Sequence, residues 1–263
     1  MKKTALWAMP LAAALALAGC SATQGAPAPT QPAVGQSPSA TQTPAATDAA
    51  AAPSPSAAGT PAAEGKQLTA DEVFAVANAL KDDEATAGAQ ILKDAELKAG
   101  AAQLDQFVAS MKVKPEACGA FASGGISEIL ETVNMAALVV PGNASAASTS
   151  VSIISYGSAS DVRNMAAKQK KSFDECATFT LEIQGREASA MLQDTKAKTD
   201  ADTTMASLGK VKVEGQTVKT LSVYGFDGNN AVAVILTAPK DIDAALTKAE
   251  KTINAALKHI ADK

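Results

Sequence analysis

The feature that most constrains this chain is a break in composition at Lys66. Of the 45 residues from Ser21 to Gly65, 34 are Ala, Pro, Ser or Thr, and 8 of the chain's 12 prolines fall there. Val34 is the one larger aliphatic side chain in that stretch, and Asp48 and Glu64 are its only charges. Such a segment has too little apolar surface to offset the entropy of ordering it. It therefore reads as a disordered, partly extended tether, spanning roughly 35–40 Å as a flexible coil. Folding is left to residues 66–263, where Val, Ile, Leu, Met and Phe recur at regular spacing. That length suffices for one sizeable core.

Ahead of the tether stand Lys2 and Lys3, then an apolar run from Ala5 to Ala18. The run is too short for a comfortable membrane span and has the form of a secretory signal. It ends in Leu17-Ala18-Gly19-Cys20, which resembles a bacterial lipobox. The expected organisation is a signal peptide over 1–19, a lipidated tether over 20–65 and a globular sensor-like domain over 66–263. Cys20 is then the lipidation site, carrying diacylglycerol and palmitate-type acyl chains. Two or more chains give stable anchoring where one gives only marginal binding. The expected location is the extracytoplasmic face of the cell membrane. Removing the signal takes away Trp7, the only Trp, and two Lys, shifting the formal charge from −4 to −6. An acidic chain is a poor nucleic-acid partner.

With Cys20 acylated, Cys118 and Cys176 remain. A pair of cysteines in an exported chain is expected to be oxidised. The bond closes a loop of about 59 residues, worth about 4 kcal/mol in the chain-entropy model. No Cys-x-x-Cys supports a redox role.

Periodicity outlines an α+β fold. Thr69-Ala70-Asp71-Glu72 is a capping box opening a helix with Val73, Val76, Ala77 and Leu80 inward. Leu97, Ala101, Leu104, Val108 and Met111 form a second helical stripe, stopped by Pro115. A short helix carries Ile126, Ile129, Leu130 and Val133, and Thr149–Tyr156 reads as a strand. Another helix covers Asp161–Lys171, with Val162, Met165 and Ala166 inward. Phe179, Leu181 and Ile183 alternate with polar residues, and a strand over Glu187–Thr195 follows a Gln184-Gly185 turn. Asp227-Gly228-Asn229-Asn230 joins two strands, Thr217–Phe226 and Ala231–Ala238, as a hairpin. A last helix runs from the N-cap Asp241 to Ile260. The expectation is an antiparallel sheet of about five to six strands packed with helices and closed by one disulfide.

Chemistry is sparse. His259 is the only His, and it reads as an exposed residue at a helix C-terminus. There is no Gly-x-Ser-x-Gly, no metal-ligand spacing and no phosphate loop of the Walker type. Asp82-Asp83-Glu84 lacks calcium-loop spacing and reads as a solvated helix end. Ser123-Gly124-Gly125 is a lone turn, and Asn143-Ala144-Ser145 has the form of a glycosylation sequon. Lys168-Gln169-Lys170-Lys171 is a basic run at the wet end of a helix, with contact to an anionic polymer as its functional reading. No catalytic residue, cofactor or metal is expected.

One arrangement carries a family resemblance. Lys114-Pro115-Glu116-Ala117-Cys118 follows an amphipathic helix, a strand and a helix come next, and Phe173-Asp174-Glu175-Cys176 leads into a strand. The hairpin and long helix close the chain. This order, over about Leu97 to Ile260, resembles the extracellular sensor domain of actinobacterial PknH-type serine/threonine kinases, found also in surface lipoproteins. The resemblance implies an antiparallel sheet with helices on one side and a cleft proposed to hold a ligand. Family members commonly carry more cysteines, so a second family disulfide has no counterpart here. The expected function is a non-enzymatic ligand-binding or sensor module holding a small or amphipathic molecule. The alternative is a structural lipoprotein engaging an envelope protein. Lipid carriage, a third reading, requires a far larger apolar cavity.

Overall fold

The computed structural model describes residues 65–119, 126–142, 147–183 and 185–263. The stretch read from sequence as a signal peptide over 1–19, Cys20 and all but Gly65 of the segment read as a tether over 20–65 lie outside the described residues, as do Ser123-Gly124-Gly125 and Asn143-Ala144-Ser145. The described chain contains α1 (Ala70–Leu80), β1 (Gln90–Leu92), α2 (Asp94–Ala109), β2 (Lys112–Lys114) and a 3₁₀ turn at Glu116–Gly119. Next come α3 (Ile126–Thr132), β3 (Asn134–Val140), β4 (Ser148–Ser155) and α4 (Ala159–Glu175). The rest is β5 (Thr178–Ile183), β6 (Arg186–Asp194), β7 (Thr203–Val213), β8 (Gln216–Asp227), β9 (Asn230–Thr237) and α5 (Ile242–Ala261).

All nine strands belong to one antiparallel sheet, in the order β1-β3-β4-β9-β8-β7-β6-β5-β2. The α+β class is as expected, but nine strands replace the expected five to six. Four strands account for the excess: β1, β2, β3 and β7. β1 and β2 have three residues each and little pattern to read. β3 is Asn-Met-Ala-Ala-Leu-Val-Val, and its five central residues are all buried. A strand covered on both faces has no alternation, so periodicity cannot separate it from a buried helix.

Side-chain parity across the paired strands separates two faces. Ile153 of β4, Val223 of β8 and Val232 of β9 point to the first, where α1 and α5 pack. Val73, Val76, Ala77 and Leu80 meet Ala249, Ile253 and Ala256 there, in the main core. Gly225 lets α5 approach: a Cβ at that position would stand 2.7 Å from Ile253 Cγ2. The second face carries Met135, Ala137 and Leu97 of α2 in one cluster, and Val162 of α4 with Tyr156, Phe226 and Ala231 in another. Helices thus cover both faces. The one-sided packing implied by the family resemblance does not hold.

The helix ends follow the local chemistry. Glu72 N donates to Thr69 Oγ1 at 3.2 Å and Thr69 N donates to Glu72 Oε2 at 2.7 Å, completing the capping box. The donation from Thr69 N, joined by one from Thr69 Oγ1 to the same oxygen at 2.9 Å, holds the Glu72 carboxyl below its usual range. The Asp241 side chain accepts from Ala244 N at 3.0 Å, as an N-cap should. Ahead of α1, the Asn229 side chain donates to Gly65 O at 2.5 Å, Leu68 N donates to Ser155 Oγ at 2.9 Å, and Asn134 donates to Leu68 O at 2.8 Å. The described chain therefore begins stitched to the β8–β9 hairpin end of the sheet.

Candidate functional site

α4 builds one wall of a cleft. Its first half sits on the sheet through Val162, with Met165 and Ala166 packed around the same cluster. Its far end is pinned by the Cys118–Cys176 disulfide, whose Cα atoms are 5.5 Å apart. The expected pairing is therefore present, joining the 3₁₀ turn to the residue that follows α4. Beyond it, Leu192 N donates to Ala177 O at 2.7 Å, tying the start of the next strand to β6.

Between these anchors α4 stands off the sheet over a cleft of about 620 Å³. Arg163, Ala166, Ala167, Lys170 and Phe173 follow helical spacing on its wall, and Thr203 to Ala206 of β7 form the other side. Asp194, Thr195 and Lys196 close one end. A smaller hollow of about 240 Å³ adjoins it, sharing Phe173, Asp174 and Asp194. The lining joins apolar surface from Ala166, Ala167, Phe173 and Met205 to three cations, Arg163, Lys170 and Lys196, and two carboxylates, Asp174 and Asp194. Lys170 Nζ lies 3.2 Å from Asp174 Oδ2. Arg163 and Lys196 form no ion pair with any described residue. The cleft suits an amphipathic molecule bearing negative charge or acceptor groups.

An aromatic row backs the cleft wall. The Phe173 and Tyr224 ring centroids are 6.4 Å apart, and Tyr224 stacks toward Phe226 at 6.2 Å and 11°. Burial pushes the Tyr224 hydroxyl up, while hydrogen bonds with Ser222 and Gln169 pull the other way. Tyr156, on the opposite flank of α4, is pushed up to about 12 by burial and then by the Asp161 carboxylate. Both phenols are neutral at physiological pH, and the Tyr224 hydroxyl hydrogen-bonds with Ser222 and Gln169.

Other sequence candidates lie apart from the cleft. His259 falls in the last turn of α5, half-buried instead of exposed, because the helix keeps packing through Leu257 and Ile260. Asp82-Asp83-Glu84 forms a turn after α1, and Thr86 Oγ1 reaches back across it to Leu80 O. Of the basic run, Lys170 is engaged by Asp174 and Lys171 lies 3.8 Å from Glu175. Among the described residues no group of three or more His, Cys, Asp or Glu is gathered to hold a metal ion. No described helix is long and apolar enough to cross a membrane. The cleft residues on β7 are not legible in the sequence, since Gly209 and the lysines at 210 and 212 interrupt the apolar alternation of Thr203–Val213.

A wide antiparallel sheet with helices on both faces, one disulfide and a cleft beneath the crossing helix defines an α+β module. The fold matches the extracellular domain of PknH from Mycobacterium tuberculosis, with a TM-score of 0.50 and 11% sequence identity, covering 73% of this chain and 98% of that one. An uncharacterised Mycobacterium smegmatis protein, the Rv0999 ortholog, aligns at a TM-score of 0.36 and 16% identity, over 57% of this chain and 76% of that one. No family model and no curated protein matches the sequence. The resemblance read from the cysteines and element order is thus a likeness of fold.

Proposed function

We propose that this protein is a lipid-anchored extracytoplasmic lipoprotein whose folded part is a non-enzymatic sensor or ligand-binding module. The observation that carries the binding reading is the cleft of about 620 Å³ beneath α4. Its size lies within the usual range for small-molecule sites. It is small for a carrier of long lipid chains, which sets lipid carriage aside. The ligand would be a small amphipathic molecule, its apolar part on Phe173 and Met205 and its acidic or acceptor groups toward Arg163 and Lys196. The lipobox at Leu17–Cys20, the oxidised cysteine pair and the likeness to an extracellular domain support the location. The alternative, an interaction lipoprotein, has less behind it: the exposed large apolar side chains, Phe107, Ile129 and Met191, belong to three different elements.

Native mass spectrometry of the protein purified from host membranes tests the binding reading. A retained adduct of small-molecule mass is expected, lost in Ala167→Trp, which fills the cleft from an exposed helix position. A bare wild-type protein that also takes up nothing from a host envelope extract overturns it. The anchor is tested separately, by incorporation of labelled palmitate that Cys20→Ser abolishes. Absence of label from the wild-type protein in its host removes that part of the proposal.

A further inference from the structure

The half of the sheet beyond the α5 contact is open on the α1/α5 side. The register of five strands aligns Lys114, Thr180, Ser189, Lys212 and Thr217 in one row across β2, β5, β6, β7 and β8. The adjacent row is Thr178, Met191, Lys210 and Lys219. These side chains share one face, and most of the positions are exposed. All of them but Lys219, which stands at the edge opposite Lys210, line a shallow trough of about 520 Å³, bounded by Lys114, Lys210 and Lys212 and floored by Thr178, Thr180, Ser189 and Thr217.

The charge arrangement works against stability. Lys210 and Lys219 stand directly opposite on paired strands. Like charges so placed are destabilising. Lys114, Lys210, Lys212 and Lys219 form no ion pair with any described residue. The carboxylates nearest along this face, Glu182 and Glu187, lie one row outward, where Lys112 Nζ meets Glu182 Oε1 at 2.9 Å. Four ammonium groups without an ion-pair partner among the described residues thus gather around hydroxyl donors on a protein of net negative charge.

We propose that this trough is a second binding site, separate from the α4 cleft, that takes an extended phosphate-bearing polymer. Lys114 and Lys212 are three strand spacings apart, roughly 14 Å, and Lys210 and Lys212 roughly 7 Å apart along one strand. Cations at such intervals contact several phosphates of one chain, while hydroxyls between them donate to the phosphate oxygens. A polymer is favoured over a lipid surface because the face forms a trough and offers Met191 as its one exposed large apolar side chain.

Titration calorimetry with long-chain inorganic polyphosphate tests the site on the exported chain. Wild-type protein is expected to bind, with affinity falling steeply as salt rises, because neutralising phosphates releases counterions. Changing Lys114, Lys210, Lys212 and Lys219 together to Gln lowers the affinity at least tenfold, leaves the circular dichroism spectrum intact and raises the Tm slightly, as the opposed Lys210 and Lys219 charges are removed. Lys168→Gln with Lys171→Gln on α4 leaves binding unchanged, and so does Ala167→Trp in the cleft. The proposal is overturned if wild-type protein gives no binding at low salt, or if the α4 lysines matter as much as the sheet lysines. It is also overturned if the four changes weaken binding to phosphatidylglycerol vesicles and leave polyphosphate binding untouched, the mark of a membrane surface.

Discussion

The two halves of the sheet contrast sharply. In β3, β4, β8 and β9, helices lie on both faces and apolar side chains point both ways; Val151, Ile153, Val223 and Val232 are fully enclosed. In β2, β5, β6 and the Gly209–Val213 end of β7 only one face has a core, around Leu181, Ala188 and Ala190, and the other carries lysines, hydroxyls and solvent. Stability is concentrated in the first half. Exposed cations and hydroxyls, the groups on which both proposed sites rest, are concentrated in the second and along the seam where α4 lifts away. A region buried on both sides has little surface left with which to recognise anything.

The disulfide is the largest expected effect across this division, because it ties α4 to the turn that precedes the open half. Replacing Cys118 and Cys176 with Ser together is expected to cost about 4 kcal/mol, from a loop closed over a sequence separation of 58. Denaturant melts check it. A loss confined to the α4 cleft, with global unfolding unchanged, would mean that the two halves melt independently.

A paired glycine substitution sharpens the contrast. In the covered half, Gly225→Ala drives a methyl into Ile253 and Ala201, with Cβ contacts of 2.7 and 3.2 Å. Overpacking of this kind costs about 1–3 kcal/mol. In the open half, Gly209→Ala meets only ordinary contacts, the nearest at 3.5 Å from Thr220 O. It is expected to be neutral or to stabilise by up to about 1 kcal/mol through the lost backbone entropy. Equal costs at the two positions, measured by thermal and urea melts, would break the comparison.

The smallest effect belongs to the hairpin end. Burial and then the neighbouring Asp202 carboxylate push the half-buried Asp227 carboxyl up, against a backbone hydrogen bond from Asp202. The folded state therefore holds this proton to higher pH than the unfolded chain, and stability falls as pH rises through the interval between the two pKa values. Asp227→Asn is expected to raise stability at neutral pH by under about 1 kcal/mol, since the group is partly solvated. The gain should vanish at pH below the unfolded Asp range. A gain that persists in acid would assign the effect to something other than this charge.

Much of the fold was legible in the residues. Thr69 and Glu72 announced α1, Asp241 announced α5, and Phe179, Leu181 and Ile183 announced β5, because caps and alternation are local effects written at fixed spacing. α4 was legible too, though it runs to Glu175. β3 was not, since burial on both faces erases alternation. β7 was not, since its lysines face solvent on one side and Gly209 interrupts its pattern. Missing those strands hid both candidate sites: the cleft needs Met205 beneath α4, and the basic trough needs Lys210 and Lys212 in register with Lys114.

By itself the sequence determined the composition break at Lys66, the two cysteines available to bond, the helix caps and the hairpin at Gly228, each resting on chemistry within a few residues. Only the tertiary structure decided which helix covers which face, how far α4 stands from β7, and which lysines meet across strands far apart in the chain. Those outcomes depend on strand order and on pairs such as Gly225 and Ile253, where contact forms between residues whose local patterns carry no record of each other.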